Sequence, residues 1–322
     1  MALLKDLTIK DFNGVATAPI IAYVIKAYMA TDKLLNVLPF TNEGALVGTS
    51  LVYNAQVWEN GLEATARAIG EEPAATVETP STVPIYLKSI AKEYAVDSIL
   101  QEAYKNNSNE FNKWEASQIA LSVDAVKRLF TRNFISSAVA QNDADDKNTT
   151  GLAAYFNANP GQVMAAFDLS AGISEAIALK FENYFNEAIA HLNGDPSKYV
   201  LVTTKLKGAP LFRTLENYRH RALQVINVGD VAYDTVFGMK MVALDDKYFG
   251  ADATASTVPF YVLYLDEVNG IRVITPNIGN VIKVTTAVQN GVFVRNGGVE
   301  IISNNVMVNP DVAVKGSFTL TA

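Results

Sequence analysis

The strongest constraint on this chain is a run of apolar residues at helical spacing that is too long for an ordinary compact domain. Phe111, Trp114, Ile119, Val123, Val126, Phe130 and Phe134 recur mostly every three to five residues, and the pattern continues to Ala138. Asn107 and Glu110 stand ahead of it with capping-box spacing, Asn replacing the usual Ser or Thr. A helix of about 30 residues would measure about 45 Å, whereas globular helices average about 11 to 12 residues. The intervals do not hold a 3.5-residue repeat, so one long helix laid against a sheet is expected rather than a coiled coil.

The residues before this helix divide into an arm and a projecting hairpin. Ile25, Met29, Leu34, Leu35 and Leu38 fit an interrupted helix that Pro39 ends, because proline disfavours helical geometry in the residue before it. From Thr49 to Trp58, Leu51, Tyr53, Ala55 and Val57 alternate with Val52, Asn54, Gln56 and Trp58, as in a strand with two distinct faces. A second extended run, Thr82 to Ile90, carries Val83, Ile85 and Leu87 on one side. Between them, Glu59 to Ser81 is rich in Glu, Ala, Thr, Gly and Pro, with Gly61, Gly70, Pro73 and Pro80 as punctuation. Ordering a backbone costs about 1 to 2 kcal/mol per residue, and this stretch has too little apolar surface to offset that alone. It either stays mobile or lies on a neighbour, with Trp58 as the anchor in the second case.

The rest reads as an α/β segment followed by a β-rich one. After a polar loop, Gln141 to Gly151, a helix is expected over Ser174 to Leu192, then a strand at Tyr199 to Thr203, a helix at Ala209 to Tyr218 and a strand at Gly238 to Leu244. Further strands are expected at Tyr261 to Leu265, Ile271 to Ile274, Val281 to Thr285, Val292 to Arg295, Val299 to Ile302 and Val312 to Leu320. Turn chemistry at Asn290-Gly291 and Asn296-Gly297-Gly298 separates three of these runs.

Common catalytic signatures are missing. The sequence contains no Gly-rich phosphate loop ending in Lys-Ser or Lys-Thr, no Gly-x-Ser-x-Gly elbow and no His-Glu-x-x-His zinc helix. His191 falls at a helix end and His220 in a basic Tyr-Arg-His-Arg segment, neither beside a nucleophile motif. Asp143, Asp145 and Asp146 begin like a calcium loop, but Lys147, Asn148 and Ala154 occupy positions that need an oxygen ligand, a glycine and a bidentate Glu. With no cysteine there is neither a disulfide nor a thiolate metal site. The balance of 33 acidic against 26 basic residues gives no general attraction for phosphate backbones. Lys127, Arg128 and Arg132 read as the solvated side of the long helix. The start, Met1 to Asp6, lacks a secretory pattern, so the Asn148-Thr149-Thr150 glycosylation pattern has little meaning, and Val15 to Met29 is too short and too interrupted by Pro19 and Lys26 to cross a bilayer. No enzymatic activity, cofactor, metal or membrane partner is expected.

Particular phrases resemble a family. Ser50-Leu51-Val52-Tyr53, Gly70-Glu71-Glu72-Pro73 and the run from Val83 through Lys88-Ser89-Ile90-Ala91-Lys92 resemble the extended loop and return strand of tailed-phage major capsid proteins with the Hong Kong 97-type fold. Asn309-Pro310-Asp311-Val312-Ala313-Val314-Lys315-Gly316-Ser317-Phe318 is similar to that family's closing strand. The resemblance implies an α+β fold with an N-terminal arm (1–40), an extended β-hairpin loop (41–100), a peripheral domain with the spine helix (101–150), an axial α/β domain (151–258) and a return to the peripheral sheet (259–322).

The function it implies is a shell subunit that self-assembles, as pentamers and hexamers, into an icosahedral or prolate phage head enclosing double-stranded DNA without sequence-specific binding. The subunit would be assembled in the host bacterial cytoplasm and reside in the virion. Scaffold, portal and decoration proteins are the further partners implied, and an encapsulin-like protein nanocompartment is the alternative. Trp58, Glu71, Glu72, Pro73 and Lys88 are the expected inter-subunit contacts. Some members crosslink a lysine just before the loop proline to an asparagine on another subunit, assisted by a glutamate. Here Glu72 precedes Pro73, and a carboxylate cannot replace the amine nucleophile. Phe293 takes the asparagine position, so no such crosslink is expected and Glu300 reads as an ordinary strand residue.

Overall fold

The computed structural model describes residues 10–11, 33–48, 50–57, 81–97, 99, 108–219, 224–228, 231–276, 282–289 and 294–321. The long periodic run forms helix α1 (Ser108–Ser136), 29 residues and so about 43 Å long. Ile119, Val123, Val126, Phe130 and Phe134 are each no more than 1% exposed, which puts the expected apolar stripe in the core. The opposite face carries Leu121, exposed, and an Arg128–Asp124 ion pair at 2.6 Å. Residue 107, half of the expected capping box, lies outside the described residues. Among the described residues no helix is long and apolar enough to cross a membrane.

Two sheets organise the chain. The first is eight-stranded and runs β1 (Lys10–Asp11), β13 (Ile282–Gln289), β14 (Val294–Val306), β12 (Arg272–Pro276), β2 (Phe40–Val47), β3 (Ser50–Val57), β4 (Ser81–Tyr86), with β5 (Lys88–Asp97) paired to β14 off this path. Strand β14 is the spine of this sheet. It pairs antiparallel with β5 from Val294 to Ser303 and with β13 from Arg295 to Ile301. Ile90, Tyr94, Val96, Val284, Val299 and Ile301 are buried in the same core as the α1 stripe.

The second sheet is seven-stranded: β6 (Phe167–Asp168), β15 (Ala313–Thr319), β11 (Thr257–Tyr264), β7 (Tyr199–Thr204), β10 (Met239–Leu244), β9 (Val231–Val236) and β8 (Val225–Val228). Between the sheets in sequence lies the short α2 (Leu152–Ala158), and α3 (Glu175–Ala190) and α4 (Gly208–Tyr218) pack on the second sheet. Ser174 caps α3 by accepting from Ile177 N–H at 3.3 Å. Phe181, Phe185 and Phe212 from the helices meet Phe260 and Phe318 from the sheet, with ring centroids 5.2 to 6.4 Å apart.

Three expectations need correction. The span 259–322 does not return as a block to the first sheet: β12 to β14 do, but β11 and β15 belong to the second. The two pair antiparallel from Thr257↔Thr319 to Leu263↔Ala313, and Gly316 lies so close to the Phe260 ring that a Cβ there would collide with it. Asn296-Gly297-Gly298 is not a turn but the interior of β14. A Cβ on Gly298 would sit 2.9 Å from the Lys92 carbonyl oxygen, so glycine admits a close approach of β5. Finally, the span 41–100 is not all projecting loop, because β5 is built into the body of the sheet against α1. Of the arm, residues 33–37 form turns closed by Leu34 O, which accepts from Val37 and Leu38 N–H, and Leu34, Leu35 and Leu38 are buried.

Candidate functional site

The expected contact residues flank or interrupt the hairpin β3–β4, whose strands stay in register from Val52↔Tyr86 out to Val57↔Ser81. Trp58, Glu71, Glu72 and Pro73 fall between these strands in sequence and lie outside the described residues, as do His220 and Phe293. What the structure supplies is the root that aims the hairpin.

A small apolar cluster, Ala55, Ile85, Ile274 and Val306, sits under the root, separate from the main core, with Tyr53, Leu87 and Val308 packed on it. Arg272, 7% exposed, donates through Nη2 to Tyr53 Oη at 2.8 Å and lies 5.5 Å from the ring centroid. A guanidinium suits this place because its charge is attracted to the ring while its edge donates to the hydroxyl. Asn304 is the second fixture. Its Oδ1 accepts from Thr150 and Asn305 N–H, and its Nδ2 donates to Tyr86 O, all at 2.8 Å. Asn305 Nδ2 donates back to Thr150 O at 2.5 Å. One buried side chain thus ties the return strand, the loop before α2 and β14 together. Sequence reasoning missed this pair. The signal was a polar triplet, Ser303-Asn304-Asn305, between Ile302 and Val306 in a β-rich run, where residues of low strand propensity require a tertiary reason.

Lys88, one of the expected inter-subunit contacts, makes hydrogen bonds within its own chain. It is 7% exposed, and its Nζ donates to Asp143 O at 2.7 Å and Ala144 O at 3.0 Å. A buried ammonium needs such acceptors in place of water, so this lysine pins the start of β5 to the loop after α1. That loop is the acidic one. Asp143 Oδ1 accepts from Asp145 and Asp146 N–H at 2.9 and 3.1 Å. The Asp146 and Asp145 amides, helped by the nearby Lys88 charge, hold the Asp143 carboxyl below its ordinary range. Its Oδ1 is thus used in turn formation, and among the described residues no group of three or more His, Cys, Asp and Glu could hold a metal ion. Glu300 faces Ser89 and Lys283 on the open side of the sheet: Ser89 Oγ donates to Oε1 at 2.5 Å and Lys283 Nζ is 3.9 Å from Oε2.

The arm has its own fixture on the second sheet. Asn36 Nδ2 donates to Val228 O at 2.8 Å and Tyr233 Oη at 3.2 Å, and Tyr233 Oη donates to Lys33 O at 2.9 Å. The arm therefore crosses the β8–β9 ribbon just before it enters the first sheet as β2. Leu46 and Val47, 61% and 56% exposed at the β2–β3 turn, leave apolar surface beside the hairpin. Gly48 there has φ +62, a left-handed turn conformation that favours glycine.

No protein-family model matches the sequence, and no curated protein matches it significantly. Solved structures do. The SrpI encapsulin of Synechococcus elongatus PCC 7942 matches with a TM-score of 0.59 at 12% identity over 88% of this chain and 85% of the encapsulin. The capsid of an empty GTA particle matches with a TM-score of 0.55 at 14% identity over 98% of this chain and 94% of the other. The capsid of Myoviridae phage XM1 matches with a TM-score of 0.50 at 14% identity over 90% and 91%. At such identities the likeness is one of fold. The chain has the α+β Hong Kong 97-type fold.

Proposed function

We propose that this chain is the major capsid protein of a tailed phage, a non-enzymatic subunit that assembles into an icosahedral or prolate head around double-stranded DNA. The observation that carries the reading is the fold likeness to a GTA capsid over nearly the full length of both chains, 98% and 94%. The hairpin supports it physically. Its root is fixed by Arg272 and Asn304, while the segment beyond Val57 and Ser81 has a composition that cannot bury itself. A rigid root with a tip that needs covering is the geometry of a heterologous contact, which closes into rings of five and six when the rotation allows. Trp58, Glu71, Glu72 and Pro73 are the tip residues that meet the adjacent subunit. Packaged DNA is held by enclosure rather than sequence readout. Portal, scaffold and decoration proteins complete the particle, which is assembled in the host bacterial cytoplasm.

The test is negative-stain microscopy of the purified protein. Angular shells are expected from the unmodified chain. Replacing residues 59–80 by a short Gly-Ser linker should leave a folded subunit that no longer forms them, and normal shells from that variant would contradict the role given to the tip. On a denaturing gel the shells should dissolve to monomers, since Glu72 stands where a crosslinking lysine is needed; a ladder of covalent oligomers would refute this. The encapsulin likeness favours one second reading, a protein nanocompartment. Particles that enclose a dedicated protein and no DNA would decide for it.

A further inference from the structure

The face of α1 turned away from the core forms a cleft of about 580 Å³ with the short helical turn Asp246–Tyr248, which follows β10. Arg128 and Arg132 stand one turn apart on the same side of α1, and Lys247 lines the cleft from the other element. Asp124 is the one acid in the lining. The charge balance is reversed here. The whole chain has 33 acids against 26 bases, and in three other sizeable clefts the cations do not outnumber the acids. All three cations are exposed. Arg128 Nη2 lies 2.6 Å from Asp124 Oδ2 and Lys247 Nζ 2.9 Å from Asp245 Oδ2, whereas Arg132 has no ion pair among the described residues. A hydrogen bond to Asp245 holds the Lys247 ammonium above its ordinary value, against the opposing charge of Arg128. Exposed ion pairs are weak, so Arg128 and Lys247 remain able to meet a second anion.

Charge is what this cleft offers. Helix α1 uses its backbone groups internally, no strand lines the cleft, and its lining contains no Asn, Gln, Ser or Thr to read a base edge or receive a peptide backbone. Guanidinium groups match phosphate oxygens bidentately. Two of them one turn apart on a rigid helix, with an ammonium from the facing turn, suit a chain of phosphates better than a single carboxylate. We propose that this cleft binds the phosphodiester backbone of DNA without regard to sequence, through Arg132, Arg128 and Lys247. Three cations make a weak site on one subunit. Repeated in every subunit of a shell, the site becomes multivalent and holds DNA collectively, while each contact can still release. The choice of DNA as occupant rests on the reading of the chain as a subunit of a DNA-filled head; the cationic cleft itself does not.

The test is isocratic retention of unassembled subunits on a column of duplex DNA of mixed sequence, at a series of low salt concentrations. The logarithm of retention falls against the logarithm of salt with a slope of about −0.9 per phosphate neutralised, so a slope of about −2 to −3 is expected. Arg132→Gln should reduce its magnitude by about one. Asp124→Asn, which removes the acid and releases Arg128, should lengthen retention. Lys283→Gln makes the same change in net charge in the cleft that holds Glu93 and Glu300, and should leave the slope unchanged. Should Arg132→Gln not fold, Lys247→Gln takes its place with the same expectation. Absence of retention overturns the proposal, and so does an equal loss from Lys283→Gln and Arg132→Gln. Stronger retention on immobilised poly-glutamate, with the same dependence on Arg132, would make the cleft a docking site for an acidic protein and overturn it as well. Negative-stain images decide the shell reading separately: Arg132-dependent retention by a protein that forms no shells upholds the DNA site and removes the head.

Discussion

The second sheet and the hairpin root of the first are held by different forces. Around the second sheet, Phe181 alone contacts Phe167, Phe185, Phe212 and Phe318 with centroids 5.2 to 5.7 Å apart, so cohesion comes from many non-directional contacts. At the hairpin root of the first sheet, four buried residues form the apolar cluster, and the fixtures are Arg272, Asn304, Asn305 and Lys88, each with directed hydrogen bonds. Apolar packing supplies stability but little orientation. Polar networks contribute less net free energy per bond, yet they tolerate only one arrangement. The packing around the second sheet thus supplies stability, and the directed bonds at the hairpin root fix its orientation.

Removing one ring and one amide should separate these roles. Phe181→Ala should cost about 3 to 5 kcal/mol of subunit stability, read by urea denaturation, while shells that still form keep their normal shape. A loss below 1 kcal/mol would mean that the aromatic cluster is not the main cohesive element. Asn304→Leu leaves Thr150 N–H, Asn305 N–H and Tyr86 O unpaired, at about 1 to 3 kcal/mol for each group that water cannot reach. About 3 kcal/mol is expected, together with faster amide exchange confined to β4 and the loop before α2. Exchange unchanged at those amides would remove Asn304 from its place as the root fixture. Gly298→Ala pushes a Cβ to within 2.9 Å of the Lys92 carbonyl. About 1 to 3 kcal/mol is expected from such overpacking, and a neutral effect would show that β5 and β14 can separate there.

The smallest effect concerns pH. Burial alone would raise the Asp266 carboxyl, but Lys198 and the Asn269 and Val268 amides hold it at about 2. A depressed acid stabilises above its unfolded value, so this contribution is intact above about pH 4 and is lost as pH falls toward 2. The pair is near the surface and solvent screening keeps the effect below about 1 kcal/mol. Denaturation midpoints of Asp266→Asn and the unmodified protein should differ at pH 6 and converge at pH 2.

The long helix was legible because its burial depends on local spacing alone: Ile119, Val123, Val126, Phe130 and Phe134 declare one face whatever they pack against. The hairpin strands were legible for the same reason. Strand partners were not. Nothing within residues 313–319 distinguishes pairing with β11 from pairing with β14, since both would bury the same alternating residues. Gly297 and Gly298 carry turn chemistry locally, but the closeness of β5 decides their conformation. Lys88 gave no local sign of its burial, because the carbonyls of Asp143 and Ala144 that satisfy it lie more than fifty residues away. In each case the deciding partner was distant in sequence.

The place of β15 bears on how such a subunit is made. It is inserted between β6 and β11, so the second sheet cannot close until residues 313–319 have emerged. Synthesis delivers the N-terminal arm and hairpin first, hundreds of residues before the strand that completes the body they must be carried on. A chain interrupted before that strand keeps two sheet edges exposed and stays a substrate for quality control. Only finished molecules acquire the closed second sheet.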